Sequence, residues 1–101
     1  MKRLLIIAAL LTGCAAFNQD AAWEKVWKDT QTMSPDQAIS RLGIPSDERF
    51  VSGRKVLVWR DGRGGSYCEF SIMYEGTRAS KANYDGQNGP CIDWLKFRGY
   101  M

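Results

Sequence analysis

Apolar and polar positions change period twice along this chain. Residues 4–11 form an unbroken apolar run behind two cations, Lys2 and Arg3. The run is too short for the roughly 20 apolar residues of a membrane-spanning helix. A basic start followed by a short apolar core predicts a secretory signal peptide instead. From residue 20 the period is helical: Trp23, Val26, Trp27 and Thr30 recur at i, i+3, i+4 and i+7, with Glu24, Lys25 and Lys28 opposite. A helix is expected over residues 20–30, its tryptophan stripe turned to a core. An interfacial helix lying on a membrane is the alternative, but its polar face would hold only two lysines offset by acids. A second helix is announced by its ends. Ser34, Pro35 and Gln37 make a capping box with proline in the first turn, Ala38, Ile39 and Leu42 face inward, and Gly43 and Pro45 stop it.

Beyond Pro45 the period becomes two. Residues 50–51 start a strand or pair with one before a Ser52-Gly53 turn, and residues 55–60 carry the β-branched and aromatic content of a strand. Residues 61–65 read as a glycine-rich turn. In a strand over residues 66–74, Cys68, Phe70, Ile72 and Tyr74 point one way and Glu69, Ser71 and Met73 the other. A turn at Glu75-Gly76 leads to a weaker third strand over residues 77–85, then a polar loop and an apolar-leaning tail over residues 92–97. The expected class is α+β: two N-terminal helices packed on one face of a three-stranded antiparallel meander.

The end of the apolar run refines the first segment. Leu11-Thr12-Gly13-Cys14 resembles the lipobox of bacterial lipoproteins, in which the cysteine sulfur receives a diacylglycerol and the peptide is cut just before it. The resemblance implies that residues 1–13 are removed and that Cys14 becomes a lipidated N-terminus. Residues 14–19 would be a short tether to the membrane, and residues 20–101 a single domain. The covalent lipid is the only non-protein group expected.

Charge and cysteine content follow from that processing. Of the formal net charge of +3, Lys2 and Arg3 belong to the signal, which leaves the domain close to neutral. No run of Lys or Arg offers a nucleic-acid footprint. The chain has no histidine, so the commonest general base and metal ligand are both missing. With Cys14 assigned to lipid, Cys68 and Cys91 remain, an even pair in an exported, oxidising compartment. Two sulfurs without histidine make a poor zinc site, and the spacing is not that of a Cys-x-x-Cys redox pair. A structural disulfide is expected, worth roughly 3 kcal/mol by the chain-entropy relation.

Catalysis finds little to work with. Ser66, Ser71 and Ser80 have no histidine to activate them. Asp61 with Glu69, or Glu75 with Asp85, would lie in turns or on a solvent face without an apolar surround. Gly62-Arg63-Gly64-Gly65 lacks the Gly-Lys-Ser/Thr ending of a phosphate loop. A non-enzymatic protein is expected. An antiparallel sheet with helices on one face leaves the other open to a partner. Trp59, Arg60, Tyr67 and Met73 are the residues placed there, of the types that carry interface energy. For Trp59 the competing position is the core, against Trp23 or Trp27.

A capped helix running into Leu42-Gly43-Ile44-Pro45, followed by a Val-x-Val-Trp strand from Val56 to Trp59, resembles the BamE/SmpA/OmlA-like small lipoproteins. In that superfamily two helices precede a three-stranded sheet, and a subset carries cysteines at places matching Cys68 and Cys91. The resemblance implies a scaffold that binds a protein partner at the outer membrane, facing the periplasm, as in the assembly of outer-membrane proteins. Ala15, where an aspartate would favour inner-membrane retention in a Gram-negative source, agrees with that location. A small lipoprotein inhibitor or exclusion factor acting on a periplasmic hydrolase is the alternative, since β-lactamase inhibitor proteins use the same two-helix, three-strand unit.

Overall fold

The computed structural model describes residues 19–101; the expected signal peptide, the expected lipidation at Cys14 and residues 14–18 of the expected tether lie outside the described residues. Helix α1 spans Gln19–Thr30 and α2 spans Pro35–Leu42. Four strands follow: β1 (Asp47–Val51), β2 (Arg54–Arg63), β3 (Ser66–Glu75) and β4 (Arg78–Gly86). Helix α3, Asn88–Phe97, closes the order. The sheet is antiparallel throughout, in the order β1-β2-β3-β4.

The α+β class and the disulfide are as expected, whereas the element count is larger: the described residues form three helices and four strands in place of two and three. The added strand, β1, reads Asp-Glu-Arg-Phe-Val and is exposed along its whole length. No face of it is buried, so it carries no alternation to read. Backbone pairing to β2 and ion pairs such as Lys55–Glu48 at 3.1 Å hold it, and its charges suit an edge. The added helix, α3, takes up the expected apolar tail. Cys91, Trp94 and Leu95 stand at i, i+3 and i+4 and are all buried, a helical stripe that Gly89 and Pro90 mask. Strand β2 also runs on through Asp61 and Gly62, which had been expected in the turn. Helix α1 begins at Gln19, one residue into the expected tether.

The helices share one face of the sheet. Leu57 and Trp59 from β2, and Cys68, Phe70, Ile72 and Tyr74 from β3, meet Trp23 and Val26 of α1, Ala38 and Leu42 of α2, and Trp94 and Leu95 of α3. Aromatic rings form the centre: Trp23 lies 5.4 Å from Phe70 and 5.1 Å from Trp94. The expected capping box of α2 is made, Ser34 Oγ accepting from the Gln37 amide while Gln37 Oε1 accepts from the Ser34 amide. Gly43 ends the helix at φ 101°, a conformation costly to any residue with a Cβ.

The last carbonyls of a helix need partners from elsewhere. Those at the end of α2 find them in the sheet and the tail: Trp59 Nε1 donates to Gly43 O at 2.8 Å, and Arg98 Nε donates to Leu42 O at 3.1 Å. Arg98 also reaches Asp61 at 2.9 Å, so one guanidinium joins α2, β2 and the end of α3. Tyr100 donates to Asp29, and Arg41 sits 4.4 Å over its ring, which pins the C-terminal turn to α1 and α2. Cys68 and Cys91 tie β3 to the first turn of α3. That turn has no side-chain cap, because Gln87 instead accepts from the Tyr67 amide at 2.8 Å.

Candidate functional site

Strand alternation assigns the sheet's other face. With Leu57 and Trp59 turned to the helices, Val56, Val58 and Arg60 point away from them, as do Tyr67, Glu69, Ser71 and Met73 on β3 and Lys81, Asn83 and Asp85 on β4. The register places Arg60 beside Glu69 and Glu69 beside Asp85, with Val56, Met73 and Lys81 in another row.

At one end of this face the Arg60 guanidinium stacks 4.0 Å over the Tyr67 ring and its Nη1 lies 3.4 Å from Glu69 Oε1. Tyr67 donates its hydroxyl to Asp85 Oδ2 at 3.0 Å. That bond to a carboxylate raises the phenol's pKa, with the nearby negative charge adding to it, so Tyr67 remains a neutral donor. Close approach of the strands is needed here. A Cβ on Gly62, opposite Tyr67, would come within 2.5 Å of the Tyr67 Cα, and its φ of 146° is one that glycine alone adopts readily.

The structure therefore brings Arg60 and Tyr67 together. Met73 is half-buried on the same face but six residues along β3 from Tyr67, roughly 20 Å at strand rise. There it lines a shallow depression with Val56, Ser71, Lys81 and Asn83. Trp59 is on the opposite side: it is 1% exposed, inside the core. Its position one residue before Arg60 puts it on the helix face, which removes it from the candidate surface.

A second concave feature had not been expected. Between α1 and β4 runs a groove of about 680 Å³. Trp23, Trp27 and Glu24 of α1 form one wall, and Ala82 and Tyr84 of β4 the other. Tyr84 stacks on Trp23 at 4.5 Å and donates to Asp20 Oδ1 at 2.6 Å. The sequence held a signal for this groove. Trp23 and Trp27 share a stripe, but β4 offers Ala79 and Ala82 beneath it, so Trp23 fills the available core while Trp27 stays half-buried.

Comparisons with models of protein families, with curated proteins and with solved structures find no match to this chain.

Proposed function

We propose that this chain is a lipid-anchored, non-catalytic binding module of the cell envelope, held by an acylated Cys14 at the periplasmic side of the outer membrane. In that reading it serves as a scaffold for a protein partner, as the BamE/SmpA/OmlA-like lipoproteins that it resembles do. The observation that carries the reading is the sheet face turned away from the described helices, where Arg60 and Tyr67 stack against each other beside the acids Glu69 and Asp85. Tyrosine and arginine together supply contact area and directional hydrogen bonds, the combination typical of binding centres. The Cys68–Cys91 bridge supports an oxidising compartment, and Leu11-Thr12-Gly13-Cys14 supports the anchor.

Tyr67→Ala tests the role of this face. The ring is outside the core cluster, so the melting temperature should move by only a few degrees, less than about 1 kcal/mol in stability. Capture of the membrane protein retained by the lipidated wild type should fall about tenfold or more, the loss expected of a binding-centre aromatic. Unchanged capture, or an unfolded variant, would show that this face is not the binding surface.

A further inference from the structure

Strand β4 is an edge of the sheet, and its outer side borders the groove under α1. The pairing fixes which backbone groups β3 leaves unused. Gln87 N–H donates to Tyr67 O at 2.9 Å. In an antiparallel ladder this makes residues 85, 83 and 81 the ones that exchange bonds with β3 at 69, 71 and 73. The N–H and C=O groups of Tyr84 and Ala82 therefore point outward, away from the sheet. Their side chains face the helix side, where Tyr84 is engaged with Trp23 and Ala82 leaves space beside the half-buried Trp27. On the other face of the same edge stand Lys81 and Asp85, four residues apart, and neither has an ion-pair partner among the described residues.

The geometry points to the β4 edge as a strand-addition site for an extended polypeptide segment of defined charge order, running antiparallel to β4. Backbone bonds to Tyr84 and Ala82 hold such a segment. The period of two then dictates its side chains. The residue opposite Ala82 enters the groove and meets Trp27, which calls for a large apolar or aromatic side chain. The residues on either side of it turn to the other face. A second residue toward the segment's N-terminus from those two lies further along the same row, opposite Asp85, and should be basic. The residue opposite Lys81 should be acidic. A parallel segment would meet the same edge with the charge order reversed. The proposal shares Asp85 with the Arg60–Tyr67 surface but otherwise uses the backbone of β4 and a groove on the helix side, and its test reads peptide binding in place of capture of a membrane protein.

The probe is the blocked peptide Thr-Lys-Val-Thr-Phe-Glu-Val, in which Lys, Phe and Glu fall opposite Asp85, Ala82 and Lys81. Its control exchanges Lys and Glu. Each is titrated into the full chain in detergent, reading tryptophan fluorescence for Trp27 and amide shifts for Ala82 and Tyr84. The probe should bind with a blue shift and shift both amides. The control should bind about tenfold more weakly, because each of its charged residues faces a like charge on β4. Lys81→Glu, exposed on the edge, should preserve the fold and erase that preference. Absence of binding by both peptides, equal binding of both, or a dimer in sedimentation that Lys81→Glu abolishes, the sign of a second copy on this edge, would each overturn the proposal.

Discussion

Removing the Cys68–Cys91 bridge through Cys68→Ala and Cys91→Ala together should cost this domain much of its stability. The two residues are 23 apart in sequence, and constraining that loop in the unfolded chain corresponds to roughly 3 kcal/mol. The folded state adds to the loss. Both cysteines are at most 1% exposed and belong to the core cluster, so alanine leaves a small void where two sulfurs were packed. The bridge also fixes the first turn of α3, which lacks a side-chain cap, and α3 delivers Trp94 and Leu95 to the core. For a domain of this size each kcal/mol shifts the melting temperature by about 4–8 °C, so the double variant should melt roughly 12–25 °C lower. Far-UV circular dichroism melts of wild type and variant, each with and without reductant, provide the measurement. Wild type should fall toward the variant once reduced, and the variant should ignore reductant. A variant melting with oxidised wild type would mean that the loop constraint contributes nothing to stability.

Two other core residues, Trp59 and Tyr74, give further readouts of the fold. Trp59→Ala should lower stability by about 3–5 kcal/mol in denaturant melts, the cost of emptying a large core site, and it leaves the Gly43 carbonyl without its indole donor; a melt within about 1 kcal/mol of wild type would contradict the core placement. Burial pushes the Tyr74 phenol up to about 12, against about 10 when unfolded. The folded chain therefore keeps a proton that the unfolded chain loses. Stability is full below pH 10 and declines as pH rises from 10 toward 12, by at most about 3 kcal/mol from this residue. Tyr74→Phe should flatten that decline in pH-dependent denaturant midpoints and, since the buried hydroxyl has no hydrogen-bond partner among the described residues, should gain about 1 kcal/mol at neutral pH; an unaltered slope would contradict it.

What the sequence made legible was whatever buries one side of a regular element. The alternation of Cys68, Phe70, Ile72 and Tyr74 placed β3 correctly, and all four are buried. The Ser34–Gln37 box placed α2, because capping is local chemistry written within four residues. Strand β1 was legible only in part, since an edge exposed on both faces needs no hydrophobic period and is held by backbone bonds to β2. Helix α3 was missed because glycine and proline crowd its first turn, and its Cys91, Trp94 and Leu95 stripe spans little more than one turn.

The candidate surface divides the same way. Strand parity alone put Tyr67 opposite in facing to Cys68 and so placed it on the open face, but Trp59 required knowledge of which face the helices cover. Once α1 and α2 lie against Leu57, parity commits Trp59 to the core and Arg60 to the open side. The stacking of Arg60 on Tyr67 depends on the pairing of β2 with β3, a long-range register that no local pattern specifies. The groove under α1 is a matter of side-chain volume. Small residues on β4 leave Trp27 incompletely covered, and that shortage appears only when helix and strand are set against each other.

Anchoring through Cys14 underlies the proposed function, and the mass and N-terminal sequence of the mature chain decide whether it occurs. Full-length chain expressed with labelled palmitate and recovered from membranes should begin at Cys14, carry the label and show the mass of an acylated cysteine. Cys14→Ser should accumulate as the unlabelled longer precursor. A mature chain that begins elsewhere, or a Cys14→Ser variant that takes up as much palmitate as wild type, would rule out the proposed anchor.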